Sequence, residues 1–433
     1  MKNTLQRKPG GYLRTGLILV ILFVSISAAA WVLGLRSGMY AGVDLPEKPL
    51  VIRGGTLFDG AGDTLIRDAL IVIEKGEIRC VGCAAPADAI LIDASGKAVL
   101  PGLIDMHLHY YAPSSEHVGA SKLDLLFSYL RYRPDVRKNL HRAGITAIRS
   151  LGDVPANILR LKALIESGEI EGPDVFCAGP TFTVAGGHPA GTTFRGNENL
   201  IQEATRLATD PIAGRQQVIA LLREGVDGIR VSYEDRGGSL PRMSPEVLDA
   251  LLAQAREAGR WTAVSTDSPA GIREALNAGA TTLERGSRVL ADTALWREVA
   301  AQCMLVPTLA AHRDSAYFPA MQANVALAAA LGVPIGIGSD IQTETRGYQN
   351  SLHREMELLV EAGLSPVQVL LGATSEAARF LKVDHYLGTV EAGKRANLII
   401  VDGKPWEQIG DIRKVETVIQ GGRLVVVNRE ISD

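Results

Sequence analysis

PGLIDMHLH, residues 101–109, sets two histidines one residue apart in an apolar run that begins at a Pro-Gly turn. Side chains alternate along a strand, so this reading places Asp105, His107 and His109 on one face and Met106 and Leu108 on the other. From Leu103 onward the chain repeats a rhythm of short apolar runs, each followed by a helical pattern. The runs are LIDMHLH (103–109), ITAIRSL (145–151), DVFCAG (174–179), DGIRVSY (227–233), WTAVSTD (261–267), ATTLERG (280–286), CMLVPTL (303–309) and PIGIGSD (334–340). Between them, SPEVLDALLAQAREAGR and SPAGIREALNAGA each open on Ser-Pro and close near Gly, the signature of a capped helix. Eight strands alternating with helices predict an α/β fold of the (β/α)₈ TIM-barrel type over 103–375.

The barrel is flanked by a different pattern. Residues 49–102 and 376–433 carry short apolar runs broken by Gly/Asp turns, which reads as small antiparallel strands. Each flank is too small to fold alone, so the two are expected to share a composite β-sandwich domain.

In a barrel, the C-terminal ends of the strands form the mouth where active sites sit. His107 and His109 end the first strand there, and Asp340 ends the eighth. Two imidazoles and a carboxylate are suitable ligands for zinc or another divalent metal. A His-x-His pair is by itself a weak signal, and Asp340 at the same end of the barrel strengthens it. His312 and Tyr233 lie just past strand ends, where they are candidates for ligand contact. Glu344 follows the eighth strand in a loop, and His117, His141, His353 and His385 are read as structural or solvated.

The chain from residue 49 on resembles the amidohydrolase superfamily, in its imidazolonepropionase-like and prolidase-like branch. PGLIDMHLH is similar to the family's strand-one motif and GVPIGIGSD to its strand-eight motif. LHREMELLVEAGLSPVQVLLGATSEAARFLKVDHYLGTVEAGKRANLIIVDG is similar to its closing helices and returning sheet. The resemblance implies hydrolysis of amide or other C–N bonds by metal-activated water, with the strand-eight aspartate moving the proton. It implies metal ligation by His107, His109 and Asp340, and catalytic roles for Asp340 and for His188, in GGHPAG. Three other ligand positions of the family are substituted. Its strand-four lysine falls on Arg230, its strand-five histidine on Ser265 and its strand-six histidine on Arg285.

A guanidinium stays protonated and has no lone pair for a metal. Two of them in the mouth repel a dication, so a bridged metal pair is not expected. Two readings remain. In one, a single metal sits on His107, His109 and Asp340, with Asp267 as a further oxygen donor, and Arg230, Arg285 and Tyr233 bind substrate, the arginines through a carboxylate. In the other, Asp340 pairs with an arginine, no metal binds, and the barrel is a non-catalytic binding or scaffold domain. The cofactor expectation is therefore zero or one divalent ion per chain, with a small-molecule or peptide-like substrate; an oligomer is compatible with either.

Composition narrows the class. The 433 residues are 46% hydrophobic and 21% charged, so a large core can form. A net charge of −3 argues against nucleic acid as a partner. Gly16 to Leu35 carries no charge and would span roughly 30 Å as a helix, the thickness of a bilayer core. Lys2, Arg7, Lys8 and Arg14 precede it, a bias that keeps residues 1–15 cytoplasmic and exports the chain beyond the 36–48 linker. The expectation is a single-pass transmembrane anchor with the barrel outside; the alternative is a signal peptide cleaved near Ala28-Ala29-Ala30, with secretion. With four cysteines the chain is no disulfide scaffold. Cys80 and Cys83 read as a turn, a local disulfide being the alternative, and Cys177 and Cys303 as buried packing residues.

Overall fold

The computed structural model describes Ser25 and residues 48–110, 136–342 and 351–427. Among these, β1 (Leu50–Phe58), β2 (Leu65–Glu74), β3 (Glu77–Val81), β4 (Ile90–Asp93) and β5 (Ala98–Pro101) precede the barrel. The barrel segment carries β6 (Leu103–His109), β7 (Ile145–Ser150), β8 (Asp174–Cys177), β9 (Thr181–Thr183) and β10 (Thr205–Leu207). It continues through β11 (Gly228–Ser232), β12 (Trp261–Ser265), β13 (Thr282–Glu284), β14 (Met304–Val306) and β15 (Ile341–Gln342). After it come β16 (Leu398–Val401), β17 (Val415–Gln420) and β18 (Arg423–Val427).

The barrel staves are parallel, in the orders β15-β6-β7-β8 and β10-β9-β11-β12-β13-β14. Their outward side chains, among them Ile148, Val231, Val264, Leu283 and Leu305, join the helices in one large core. The helices start where Ser-Pro predicts: Ser244 and Ser268 accept from Val247 and Gly271 at the heads of Pro245–Glu257 and Pro269–Asn277.

The eighth stave is not a regular strand. Residues 334–340 are held by single contacts, such as Met106 N–H donating to Ile337 and Asp340 N–H donating to His107. Its glycines explain the close fit. A Cβ on Gly336 would meet Met304 Sδ at 2.6 Å, and one on Gly338 would meet His107 Cβ at 2.7 Å. Their lack of side chains lets the segment slide between β14 and β6 and carries Asp340 to the histidines.

β6 also departs from simple alternation. Its pairing with β7 is irregular between Asp105 and Leu108, a bulge that re-aims side chains. Met106 therefore packs with Ile104, Ala263, Met304 and Val306 rather than with Leu108. Asp105 leaves the histidine face. Its carboxylate accepts from the backbone N–H groups of His107 and Ser339 and from Ser339 Oγ, pinning the eighth stave to the first.

Both chain ends do meet in one domain, but as a single hydrogen-bonded sheet of order β18-β17-β16-β5-β1-β2-β3, with β4 also on β1. All eight strands supply side chains to one interior cluster, so the layers expected of a sandwich are parts of a continuous sheet. The expected boundary at 376 moves as well. Ala377, Ala378, Leu381, Val383 and Leu387 pack with Ile104, Met106 and Trp261 beneath the barrel, and only from Val390 does the chain join the β domain core.

Cys80 and Cys83 are joined by a disulfide, which corrects the preference for a simple turn. Cys177 and Cys303 are free and buried, as expected. Apart from Ser25, the anchor expected at 16–35 lies outside the described residues, as do the loop residues His117 and Glu344. Among those described, no helix is long and apolar enough to cross a membrane.

Candidate metal and substrate site

His107 sits at the end of β6 with no exposure, its Nδ1 2.6 Å from Glu284 Oε2. Glu284 has Arg149 and Thr282 as further partners. Burial alone would raise its pKa, but the Arg149 and His107 contacts outweigh it and hold the acid at about 2. An ionised carboxylate cannot donate, so His107 donates from Nδ1, which leaves Nε2 as the ring atom turned toward the ligand group. That Nε2 is buried, has no hydrogen-bond partner and lies 3.3 Å from Asp340 Oδ1. His109 Nε2 is 3.1 Å from the same oxygen.

Three donor atoms thus converge on one point, with ligand atoms of His107, His109 and Asp340 within 4.8 Å of one another. Among the described residues this is the one such group, and a carboxylate behind a ligating histidine is the usual support for a metal. The unpartnered Nε2 and the donor set fit one divalent ion. Arg230 and Arg285 border the same cavity, and a guanidinium has no lone pair to offer a metal.

Arg285 binds Asp340 Oδ2 through Nε at 3.3 Å and Glu234 Oε1 through Nη1 at 3.0 Å. Both Arg285 and Asp340 have positive φ, 69° and 48°, in the left-handed region that costs an L-residue about 1–3 kcal/mol. Burial would raise the Asp340 pKa, yet the Arg285 guanidinium beside it holds it well below the usual range. Glu234 is the hub of a second cluster, with Arg288 Nη2 at 3.2 Å, Arg236 Nε at 3.7 Å and His188 Nε2 at 3.7 Å. Against the pull of burial, Arg285 and its neighbours keep it at about 2.

A cavity of about 430 Å³ opens above these groups, lined by His109, His188, Arg230, Arg285, His312 and Asp340, with Phe194, Pro189 and Ile341 among its apolar walls. Arg230 is 2% exposed, and its Nη1 donates to Leu151 O and lies 3.1 Å from His109 Nε2. Burial, then the Arg285 charge, lower its pKa to about 10, so it stays cationic at neutral pH. His188 accepts from Arg236 Nη2 at Nδ1, which puts its hydrogen on Nε2 facing Glu234. Burial lowers its pKa to about 3, and that of His312 to about 4.

Most candidates from the sequence are brought together here, including His312, whose Nε2 lies 3.7 Å from Asp340 Oδ2. Two are not. Tyr233 is fully buried on the outer side, where its hydroxyl donates to Glu274 and Arg242 covers its ring. The alternation that turns Arg230 inward turns Tyr233 outward. Asp267 accepts from the Arg236 backbone and stays outside the ligand group. Ser265 is buried with an unpartnered Oγ.

Glu284, Arg149 and Glu234 carry no motif and are not among the candidates that the sequence offers. Counting by twos from Arg230 would flag Glu234. Glu284 hides beside Arg285, since two adjacent strand residues are not expected to share a face; the turn at Arg285 makes it so.

The chain is similar over most of its length to known proteins. Residues 98–425 match the profile described as "Amidohydrolase family". Ochratoxinase of Aspergillus niger is 24% identical over 427 residues, covering 87% of this chain and 86% of that protein. An imidazolonepropionase of Aromatoleum aromaticum is 29% identical over 383 residues, covering 81% and 90%. Among solved structures, a Xaa-Pro dipeptidase with methionine bound in its active site superposes with a TM-score of 0.75 at 25% identity, covering 87% of this chain and 99% of that one.

Proposed function

The chain belongs to the amidohydrolase family, and on that premise we propose that it hydrolyses an amide or other C–N bond of a small or peptide-like molecule, using one divalent metal ion. The observation that carries this is the buried, unpartnered Nε2 of His107, aimed at Asp340 with its tautomer set by Glu284. His107, His109 and Asp340 would hold the ion, zinc being suited to two imidazoles and a carboxylate. When bound, it supplies Lewis-acid activation of water and of the scissile carbonyl.

The protein's own groups do the rest. Arg285 holds Asp340 ionised and oriented, so that an Asp340 oxygen can take a proton and return it to the leaving nitrogen. His188 presents Nε2–H beside the cavity, suited to hydrogen-bond a substrate oxygen. Phe194 and Pro189 give the cavity apolar lining.

The competing reading, a non-catalytic binding domain, draws support from the Arg285–Asp340 ion pair, which already partners the carboxylate. Metal-free protein should be reloaded with zinc and assayed on N-acyl amino acids and dipeptides. Amine release that is lost with chelator, restored by zinc and absent in Asp340→Asn supports the hydrolase. Failure to take up zinc would overturn it.

We read residues 16–35 as an uncleaved anchor with the barrel on the exported side.

A further inference from the structure

Arg230 and Arg285 look equivalent in the sequence, but their surroundings separate them. Arg285 is spent on protein carboxylates, Asp340 through Nε and Glu234 through Nη1. Arg230 has no carboxylate within ion-pairing distance among the described residues. Among the described residues its one acceptor besides the His109 ring is the Leu151 carbonyl, and its Nε–H is buried without a partner there. A buried cation with an unused donor is expensive unless something anionic meets it.

We propose that Arg230 is the anchor for a carboxylate of the organic substrate, and that Arg285 holds the site together without touching that group. This rests on the reading of the cavity as the substrate site. A guanidinium pairs with a carboxylate through two parallel N–H···O bonds, which fixes orientation as well as position. Because Arg230 lies against His109, a carboxylate held there keeps the bond next to it close to His109 and Asp340. The anchored molecule is therefore an acid whose scissile C–N bond lies a few atoms from the carboxylate, as in an N-acyl amino acid or a dipeptide. A free inorganic oxyanion fits poorly, because the cavity of about 430 Å³ is far larger and Phe194, Pro189 and Ile341 offer apolar contact.

The test is calorimetric binding of N-acetyl-L-phenylalanine and of its neutral primary amide to the full chain, with inorganic phosphate as a third probe. The acid should bind at least tenfold tighter than the amide. Arg230→Met should erase that difference, and Arg230→Lys should keep part of it. Equal affinity for acid and amide in the unaltered protein would overturn the proposal without any variant. So would an acid preference that survives Arg230→Met, or phosphate displacing the acid with equal affinity. Absence of turnover leaves the binding difference intact and counts against the hydrolase reading alone. Turnover that ignores the carboxylate counts against the Arg230 anchor alone.

Discussion

His107 and Glu284 form a fully buried pair with 2.6 Å between Nδ1 and Oε2. The pair decides how the ring is presented, because the carboxylate accepts the hydrogen at Nδ1 and leaves Nε2 facing Asp340. Arg149 stands behind Glu284 at 2.6 Å and neutralises its charge. A chain of cation, carboxylate and imidazole thus runs through the barrel interior to the ligand group.

Glu284→Gln should weaken zinc binding about 10–100-fold, the usual cost of losing such a support. The glutamine amide can donate to Nδ1, which moves the ring hydrogen to Nε2 and removes the metal's lone pair. Titration against a competing chromophoric chelator reads the change. Unaltered affinity would exclude His107 Nε2 as a ligand.

Arg285→Met should both destabilise the protein and shift its pH profile. Asp340 would lose its guanidinium, and breaking a buried pair costs about 3–5 kcal/mol as an upper figure. Urea denaturation measures this. With the cation gone the Asp340 pKa rises, so the acid limb of kcat/KM moves to higher pH; Arg285→Lys should restore part of both. A profile that does not move would mean Asp340 carries no proton in the reaction.

The sequence made the barrel and half of the site readable for a physical reason. His107, His109, Gly336, Gly338 and Asp340 are residues whose identity is dictated locally, by ligand chemistry or by close backbone approach. What stayed hidden depends on geometry that spacing does not carry. The bulge in β6 sends Asp105 to Ser339 and Met106 inward, against simple alternation. The positive φ of Arg285 lets it share the barrel interior with Glu284. The helix Ser375–Leu381 looks like the start of the last domain but plugs the barrel base, a contact with Ile104 that only the folded chain makes.

Acid should unfold the protein early. His353 donates from Nε2 to Ala143 O, while its Nδ1 is buried without a partner, so a second proton finds no acceptor. Burial lowers its pKa to about 4, against about 6.5 in the unfolded chain. His141, also lowered by burial, to about 3, acts in the same sense. The unfolded state binds more protons below about pH 6.5, so the stability due to these neutral rings is full above that pH and is lost as pH falls through 4. Glu234 and Glu284, both held at about 2, add a further loss below about pH 4.5. Melting temperature should therefore fall from pH 7 to pH 4, less steeply than these rings alone would give, because burial raises Glu355 to about 8 and Asp105 to about 6 and both gain protons in the folded state over that range; a flat profile would contradict it.

We propose a limit of one metal ion per chain, set by Arg230 and Arg285. Arg230 lies 3.1 Å from His109 Nε2 and Arg285 lies 3.3 Å from Asp340 Oδ2, so two fixed cations border the ligand group. Each repels a dication, and neither has a lone pair to offer one. Elemental analysis of zinc-reconstituted protein should give no more than one ion, and two ions lost together on chelation would refute the argument. Replacing Arg230→Lys, Ser265→His and Arg285→His together removes both guanidiniums and adds two imidazoles. The folded triple variant should bind zinc more tightly and approach two ions per chain. If it folds but gains neither affinity nor a second ion, the arginines are not what limits the site, and its capacity is set instead by the His107–Glu284 pair and the fixed backbone at Asp340.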